Sequence, residues 1–184
     1  MVNHGSNTAF DTISSLILRR PSAADGLAVH RLVELCRPLD RNSLYCNLLQ
    51  CSHFAETCAV AVRGDTMLGF VSAYKPPASA NTLFVWQVAV SPAARRQGLG
   101  KRLLREVLSR PVCQDVWFLE ASVTPDNDAS RRMFLSLALD LKCPCESTTL
   151  FSSEQHFGGT HATETLLRIG AFKSVASPEE GEHR

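Results

Sequence analysis

The sequence has no excess of charge of either sign. Its 184 residues carry 19 Lys and Arg against 18 Asp and Glu, so the formal net charge is +1. Proteins that bind nucleic acid through a basic face, or acidic membranes through a polybasic segment, need a much larger excess of positive charge. The composition therefore argues against both nucleic acid and membranes as partners.

Long hydrophobic runs are also absent. The longest apolar stretch covers residues 83–90, whereas a membrane-spanning helix needs roughly 20 residues. Residues 1–10 are polar and lack the apolar core of a secretory signal. These features predict a cytoplasmic protein.

The cysteines do not have the number or spacing of a disulfide or metal framework. Seven is an odd number, and the chain is longer than small disulfide-stapled domains. Cys143 and Cys145, with His156 and His161 downstream, match no common zinc spacing. We therefore expect no metal, and we expect most of the other cysteines to be reduced, small and buried, namely Cys36, Cys46, Cys51, Cys58 and Cys113.

Hydrophobic periodicity predicts one α/β domain over residues 15–173, with residues 1–14 and 174–184 as flexible termini. The predicted order β-α-α-β-β-β-α-β-α-β-β implies a mixed central sheet of six to seven strands flanked by helices. The strand over residues 83–90 is apolar on both faces and should be central. The other predicted strands are 16–20, 58–63, 67–74, 116–123, 149–151 and 165–169.

The segment after the central strand has the composition of an anion site. Arg95 begins an Arg-x-x-Gly-x-Gly sequence that leads directly into a predicted helix. Glycines allow a ligand to approach the backbone closely, and a helix start offers N–H groups and a positive dipole to a pyrophosphate. A tight turn with two packing glycines is the alternative. The segment is not a Walker loop, and residue 103 is Leu where a dinucleotide-binding fingerprint has a third glycine.

This segment resembles the acetyl-CoA loop of the GNAT-type N-acetyltransferases. A second block, Val123–Phe134, resembles the GNAT segment in which the fifth strand ends at an Asn and a helix begins. The resemblance implies the GNAT fold and acetyl-CoA as cosubstrate. It also implies that acetyl-CoA is bound by Val88, Val90, Arg95, Arg96, Gln97, Gly98, Gly100, Lys101, Asn127, Ser130 and Arg131. For Asn127, or its neighbour Asp126, a simple helix cap is the alternative.

Two positions depart from the common GNAT pattern. Phe134 stands where many members have the Tyr that protonates the departing thiolate. The central strand, residues 83–90, has no Glu where many members place the general base. The acid and the base must therefore come from elsewhere.

Four further blocks, 38–46, 84–90, 120–127 and 156–164, are similar to one family within this superfamily, the L-2,4-diaminobutyrate acetyltransferases of ectoine biosynthesis. The similarity runs from about Leu18 to Phe172. It implies acetylation of the γ-amine of L-2,4-diaminobutyrate, by direct attack of the amine, and a possible homodimer.

The expected site residues follow from this chemistry. A diamino acid needs carboxylates, its amine must lose a proton, and the tetrahedral oxyanion needs a preorganised donor. The resemblance implies the backbone N–H near Val88 as that donor, and we expect Glu120 and Tyr45 as further catalytic groups. The expected substrate-binding residues are Asp40, Ser43, Trp86, His161 and Glu164.

Each of these residues has a structural alternative. Asp40 could cap a helix, Glu120 could face solvent at a sheet edge, and Trp86 could simply pack in the core. His161 and Glu164 could belong to a solvated loop. Two rival functions also stay open: acetylation of a different small amine, and non-catalytic sensing of acyl-CoA, which the absence of a phenol at Phe134 favours.

Overall fold

One seven-stranded mixed sheet runs through the protein. The computed structural model describes residues 15–36, 39 and 41–172. The strands are β1 (Leu16–Arg19), β2 (Ala59–Arg63), β3 (Thr66–Tyr74), β4 (Thr82–Val90), β5 (Phe118–Val123), β6 (Cys145–Phe151) and β7 (Glu164–Gly170). The helices are α1 (Gly26–Leu35), α2 (Leu44–Ser52), α3 (Leu99–Leu108), α4 (Asp128–Asp140) and α5 (Ser153–Phe157).

The order in the sheet is β1-β2-β3-β4-β5-β7-β6. Only β4 and β5 are parallel, and the other neighbours are antiparallel. The central position predicted for β4 is therefore confirmed. The α/β fold with a mixed sheet flanked by helices is confirmed as well.

Helices cover both faces of the sheet. Leu103 and Leu104 of α3 and Leu137 of α4 are buried against one face in the larger hydrophobic core. Val29 and Val33 of α1 are buried in a smaller core against the other face. In the described part of the chain, no helix combines the length and apolar character required to cross a membrane.

Side-chain caps explain where α2 and α4 begin, and a capping box closes the short turn before α1. In that turn, Ala23–Asp25, the Asp25 carboxylate accepts a hydrogen bond from the Ser22 N–H at 2.7 Å. The Ser43 hydroxyl accepts from the Cys46 N–H at the start of α2 and caps that helix. Asn127 accepts from the Ser130 N–H and caps α4.

Two elements at the end of the chain differ from the prediction. β6 begins at Cys145 and has seven residues, whereas the sequence predicted a short strand at 149–151. It is an edge strand with mostly exposed side chains, so hydrophobic alternation does not mark it. The five-residue helix α5 was not predicted because it is too short to show helical periodicity.

The expected domain boundaries, 15–173, stay a prediction. Residues 1–14 and 173–184 lie outside the described residues, and so do the two predicted flexible termini.

Candidate active site

The parallel strands β4 and β5 pair along only part of their length. Their ladder runs from Thr82 opposite Phe118 to Val85 opposite Ala121. Beyond this point β4 continues to Val90 and β5 to Val123, but the described ladder no longer pairs these two strands with each other. This divergence opens a wedge between the two strands in the middle of the sheet, where backbone groups of β4 are available to a ligand on the side of β5.

A β-bulge lies in β4 at the same level. The register with β3 changes from Ser72 opposite Gln87 to Ala73 opposite Val85, so Trp86 is the extra residue. The bulge reverses the alternation of side chains along the strand. Val85 and Val88, three residues apart, both pack in the α3 and α4 core, and Trp86 is 49% exposed.

A cleft of about 540 Å³ extends from this wedge along the starts of α3 and α4. Its described lining contains four cationic side chains and no carboxylate. Nine of the predicted cofactor residues line it: Val88, Val90, Arg95, Arg96, Gly98, Gly100, Lys101, Asn127 and Ser130. We call it the outer cleft.

Other residues of the outer cleft were not predicted. Ala129, Arg132, Met133 and Ser136 follow one face of α4, and their helical spacing could have identified them once Asn127 and Ser130 were placed there. Cys36, Leu39, Ala94 and Leu99 also line it, and no sequence signal marks these four.

The two glycines of the loop have different tasks. Gly98 precedes α3 in the left-handed conformation, with φ = 70°, and a Cβ there would contact nothing within 4 Å. A Cβ on Gly100 would lie 2.6 Å from the Met133 sulfur. Gly98 therefore shapes the turn, and Gly100 lets the starts of α3 and α4 approach each other.

The cationic side chains are not equivalent either. Arg95 lines the cleft and donates from Nε to the Val90 carbonyl at 3.2 Å. The Lys101 ammonium donates to the Ser136 hydroxyl and to Asp140, both at 2.8 Å. That bond from Lys101 holds the pKa of the Asp140 carboxyl below its usual range. Lys101 on α3 therefore pairs mainly with α4, and less of its charge is available to a ligand in the outer cleft.

Gln97 and Arg131 lie outside the lining of the outer cleft. Gln97 donates from its side chain back to the Ala93 carbonyl at 3.3 Å. Their predicted contacts with acetyl-CoA stay predictions.

A narrower pocket of about 40 Å³ occupies the wedge itself, and we call it the inner cleft. Gln87, Ala121 and Ser122 line it together with the buried ring of Phe134. Because it shares lining residues with the outer cleft, the two form one continuous path; the shared residues are Leu39, Val88, Asn127 and Ser130.

Glu120 has a partner that sequence reasoning missed. Its carboxylate is only 16% exposed and forms an ion pair with Arg168, which lies opposite it on β7. The Arg168 guanidinium also stacks on the Phe118 ring at 3.9 Å. Glu120 is thus not a solvent-facing edge residue, and its catalytic role stays a prediction.

Glu120 and most of the remaining predicted residues lie outside the described lining of both clefts. Tyr45, in the first turn of α2, is 69% exposed and lies outside the described lining of both clefts, as do Ser43 and Glu164. His161 packs on the Phe157 ring at 4.6 Å, in the loop before β7. Asp40 lies outside the described residues.

Trp86 lines the inner cleft, and its ring lies 6.4 Å from that of Tyr74. Its predicted contact with the substrate stays a prediction. In the part of the chain that the structure describes, no three His, Cys, Asp or Glu side chains come together as a metal site.

The path fits a long ligand with an anionic part and a narrow reactive end. The N–H groups of the first turn of α3 have no acceptor within the helix and add their dipole to the cations of the outer cleft. The inner cleft leads to the unpaired backbone of β4, where an N–H can stabilise an oxyanion.

Comparison with known proteins agrees with this geometry. The model of the Acetyltransferase (GNAT) family matches residues 27–138. The chain is 49% identical over 160 residues to the L-2,4-diaminobutyric acid acetyltransferase of Methylotuvimicrobium alcaliphilum, covering 87% of this chain and 93% of the relative. It is 43% identical over 162 residues to that of Halomonas elongata, covering 88% and 84%.

Among solved structures, the chain resembles the diaminobutyrate acetyltransferase EctA of Paenibacillus lautus, in complex with L-2,4-diaminobutyric acid and coenzyme A. The TM-score is 0.82 at 40% identity, with 86% of this chain and 96% of the other covered. Ard1 of Thermoplasma volcanium matches with a TM-score of 0.70 at 18% identity, over 86% of this chain and 99% of the other, and shows the fold alone.

Proposed function

The chain belongs to the L-2,4-diaminobutyric acid acetyltransferases of the GNAT family, and we propose that it transfers the acetyl group of acetyl-CoA to the γ-amine of L-2,4-diaminobutyrate. The product would be N4-acetyl-L-2,4-diaminobutyrate, an intermediate of ectoine biosynthesis. The observation that carries this proposal is the continuous path from the cationic outer cleft into the wedge between β4 and β5.

The proposal gives each part of the path a task. Arg95, Arg96 and Arg132, with the N-terminus of α3, receive the phosphates of acetyl-CoA. The apolar side chains of Val88 and Met133 border the route of the pantetheine arm. The thioester then reaches β4, where a backbone N–H near Val88 stabilises the oxyanion of the tetrahedral intermediate.

The amine must be neutral when it attacks the thioester carbonyl. We assign Glu120 as the base that accepts the proton of the amine through a water relay. The ion pair with Arg168 holds the Glu120 carboxylate in a fixed position. The C–N bond forms first and gives the tetrahedral intermediate. The C–S bond then breaks, and CoA leaves as a thiolate that takes up a proton from Tyr45 or from water. No acetyl group is carried by the enzyme itself.

A product assay tests the proposed function. Purified protein with acetyl-CoA should acetylate L-2,4-diaminobutyrate at the γ-amine, identified by mass spectrometry and by NMR of the product. Ornithine, lysine and a polyamine serve as comparison substrates. Preferred turnover of another amine would replace the assigned substrate, and CoA binding without transfer to any amine would support a sensor instead.

We further propose a cytoplasmic homodimer. The support for the dimer is β6, which ends the sheet order and presents mostly exposed side chains along its free edge. The exposed Leu135 and Leu139 of α4 add apolar surface. Light scattering coupled to gel filtration should give twice the chain mass, and a monomer at micromolar concentration would contradict this assembly.

A further inference from the structure

Gln87 is a buried amide next to the reacting centre. It follows the bulged Trp86, precedes Val88 and is only 6% exposed. Its side-chain oxygen accepts a hydrogen bond from the Asn42 amide at 3.1 Å. The bond joins β4 to the connection between α1 and α2, 45 residues earlier in the chain.

Described residues of that connection contribute a wall of the site. Leu39 lines both the outer and the inner cleft. Asn42 stands immediately before Ser43, which caps α2. A bond from Asn42 to β4 therefore fastens this wall to the strand that carries the expected oxyanion donor.

We propose that Asn42 and Gln87 are positioning residues for the amino-acid substrate. Their hydrogen bond, which we call the amide bridge, sets the distance between the α1–α2 connection and β4, and with it the width of the substrate end of the path. The inference rests on the proposed function, since it concerns how diaminobutyrate is held.

The chemistry of the bridge suits this task. A substrate with two ammonium groups would be attracted by a carboxylate and repelled by a cation at this position, whereas a neutral amide pair fixes the wall without adding charge. Because Gln87 is buried, losing Asn42 removes a partner from a desolvated amide, so the wall and the strand are expected to separate or rearrange.

The amide bridge lies apart from the lining of the outer cleft, where we place acetyl-CoA. Neither Asn42 nor Gln87 lines it, and its four cationic side chains lie on α3, on α4 and in the loop before α3. Breaking the bridge should therefore affect diaminobutyrate far more than acetyl-CoA.

A double-mutant cycle tests the bridge. Asn42→Ala and Gln87→Ala should each raise the KM for diaminobutyrate about three- to tenfold, as expected for one lost hydrogen bond. The Kd for acetyl-CoA should stay within about twofold of wild type. The double variant should be no worse than the more affected single variant, because both changes remove the same interaction.

An exchange of the two amides provides the rescue. Asn42→Gln and Gln87→Asn each alter the length of the bridge, whereas the double exchange Asn42→Gln/Gln87→Asn conserves its total length. The double exchange should recover most of the wild-type KM. Asn42 is only half-buried, so Asn42→Ala should fold normally. The test therefore does not depend on whether Gln87→Ala, a change at a buried residue, folds.

A second amide pair is the matched control. Asn47 donates to Gln50 at 3.0 Å inside α2, and both are buried away from the two clefts. Asn47→Ser should lower the melting temperature without the selective rise in KM for diaminobutyrate.

Three results would overturn the amide bridge as a positioning device: additive effects in the cycle, an equal loss of acetyl-CoA affinity, or the same KM change in Asn47→Ser. These results require an active wild type. A wild type that does not acetylate diaminobutyrate would instead overturn the proposed function, and the bridge with it.

Discussion

Single side chains in the outer cleft share a charge but differ in what they contact. Arg95 donates one hydrogen bond to the Val90 carbonyl and lines the ligand path. The Lys101 ammonium instead donates to Ser136 and Asp140 of α4. Sequence alone treats both as cations beside a glycine loop. Their difference depends on α4, which follows more than 20 residues later. No local sequence pattern predicts that α4 packs beside Lys101.

Arg95→Ala should weaken acetyl-CoA binding. Loss of a charge-assisted contact costs about 1–3 kcal/mol, or roughly a 5- to 150-fold rise in Kd measured by calorimetry. Arg31→Ala is the control, because Arg31 is exposed on α1 and lies outside both clefts. Equal affinities in Arg95→Ala and Arg31→Ala would exclude Arg95 from the phosphate site.

Tyr45 is our candidate for the acid that protonates the departing thiolate, because Phe134 has no hydroxyl. If Tyr45 is the acid, Tyr45→Phe should lower kcat by roughly 10²–10⁴-fold and leave acetyl-CoA affinity unchanged. Tyr74→Phe is the control, since Tyr74 packs on Phe84 at 5.4 Å. A kcat within about threefold of wild type, with chemistry limiting, would make water the proton source.

Element boundaries near the site follow from local signals, and the geometry of the site does not. Asn127 was recognisable as a candidate cap, and the apolar run of β4 predicted a central strand. The bulge at Trp86 leaves no mark on the sequence, because it is defined by the register against β3. The buried polarity of Gln87 and the pairing of Glu120 with Arg168 likewise depend on neighbouring elements.

The two loop glycines should respond differently to substitution. Gly98→Ala places a Cβ in free space but in a left-handed conformation, which should cost about 1 kcal/mol of unfolding free energy. Gly100→Val meets Met133 and Val88, both in the outer cleft, and should chiefly raise the Kd for acetyl-CoA. Urea unfolding and calorimetry separate the two effects.

Met133 provides the control for Gly100. Met133→Ala removes the sulfur that a Cβ at position 100 would approach to 2.6 Å. Gly100→Val/Met133→Ala should therefore recover part of the acetyl-CoA affinity. No recovery would mean that Gly100 is needed for the approach of the ligand itself rather than for helix packing.

The junction of β1 and α1 should depend on pH through Asp25. The hydrogen bond from Arg19 lowers the pKa of this carboxyl from 3.8, and the Ser22 N–H contributes in the same direction. A carboxyl with a lowered folded-state pKa contributes stability above its unfolded pKa and loses it as the pH falls through the folded value.

Asp25→Asn removes this titration. Its unfolding free energy should lie below that of wild type at neutral pH, and the gap should narrow as the pH falls below 3.8. Urea unfolding between neutral and acidic pH measures the gap. A gap of constant size would show that the carboxylate charge contributes nothing.

At the scale of the whole molecule, the burial of the cysteines determines whether a thiol could carry the acetyl group as a covalent intermediate. Burial raises the pKa of the Cys51 and Cys58 thiols to about 12 and that of Cys113 to about 11. Such thiols supply almost no thiolate at neutral pH and cannot act as acetyl carriers. Cys36 lies in the outer cleft, is 3% exposed and donates its S–H to the Val90 carbonyl.

This distribution predicts a direct transfer within a ternary complex. Initial-velocity lines for acetyl-CoA and diaminobutyrate should intersect, because both ligands must occupy the path before the C–N bond forms. Intact-mass analysis after incubation with acetyl-CoA alone should show no acetylated protein, and Cys36→Ala should retain kcat. Parallel lines, with an acetyl group trapped on a cysteine, would instead establish a covalent intermediate. The narrow path would then serve two successive half-reactions rather than one encounter between amine and thioester.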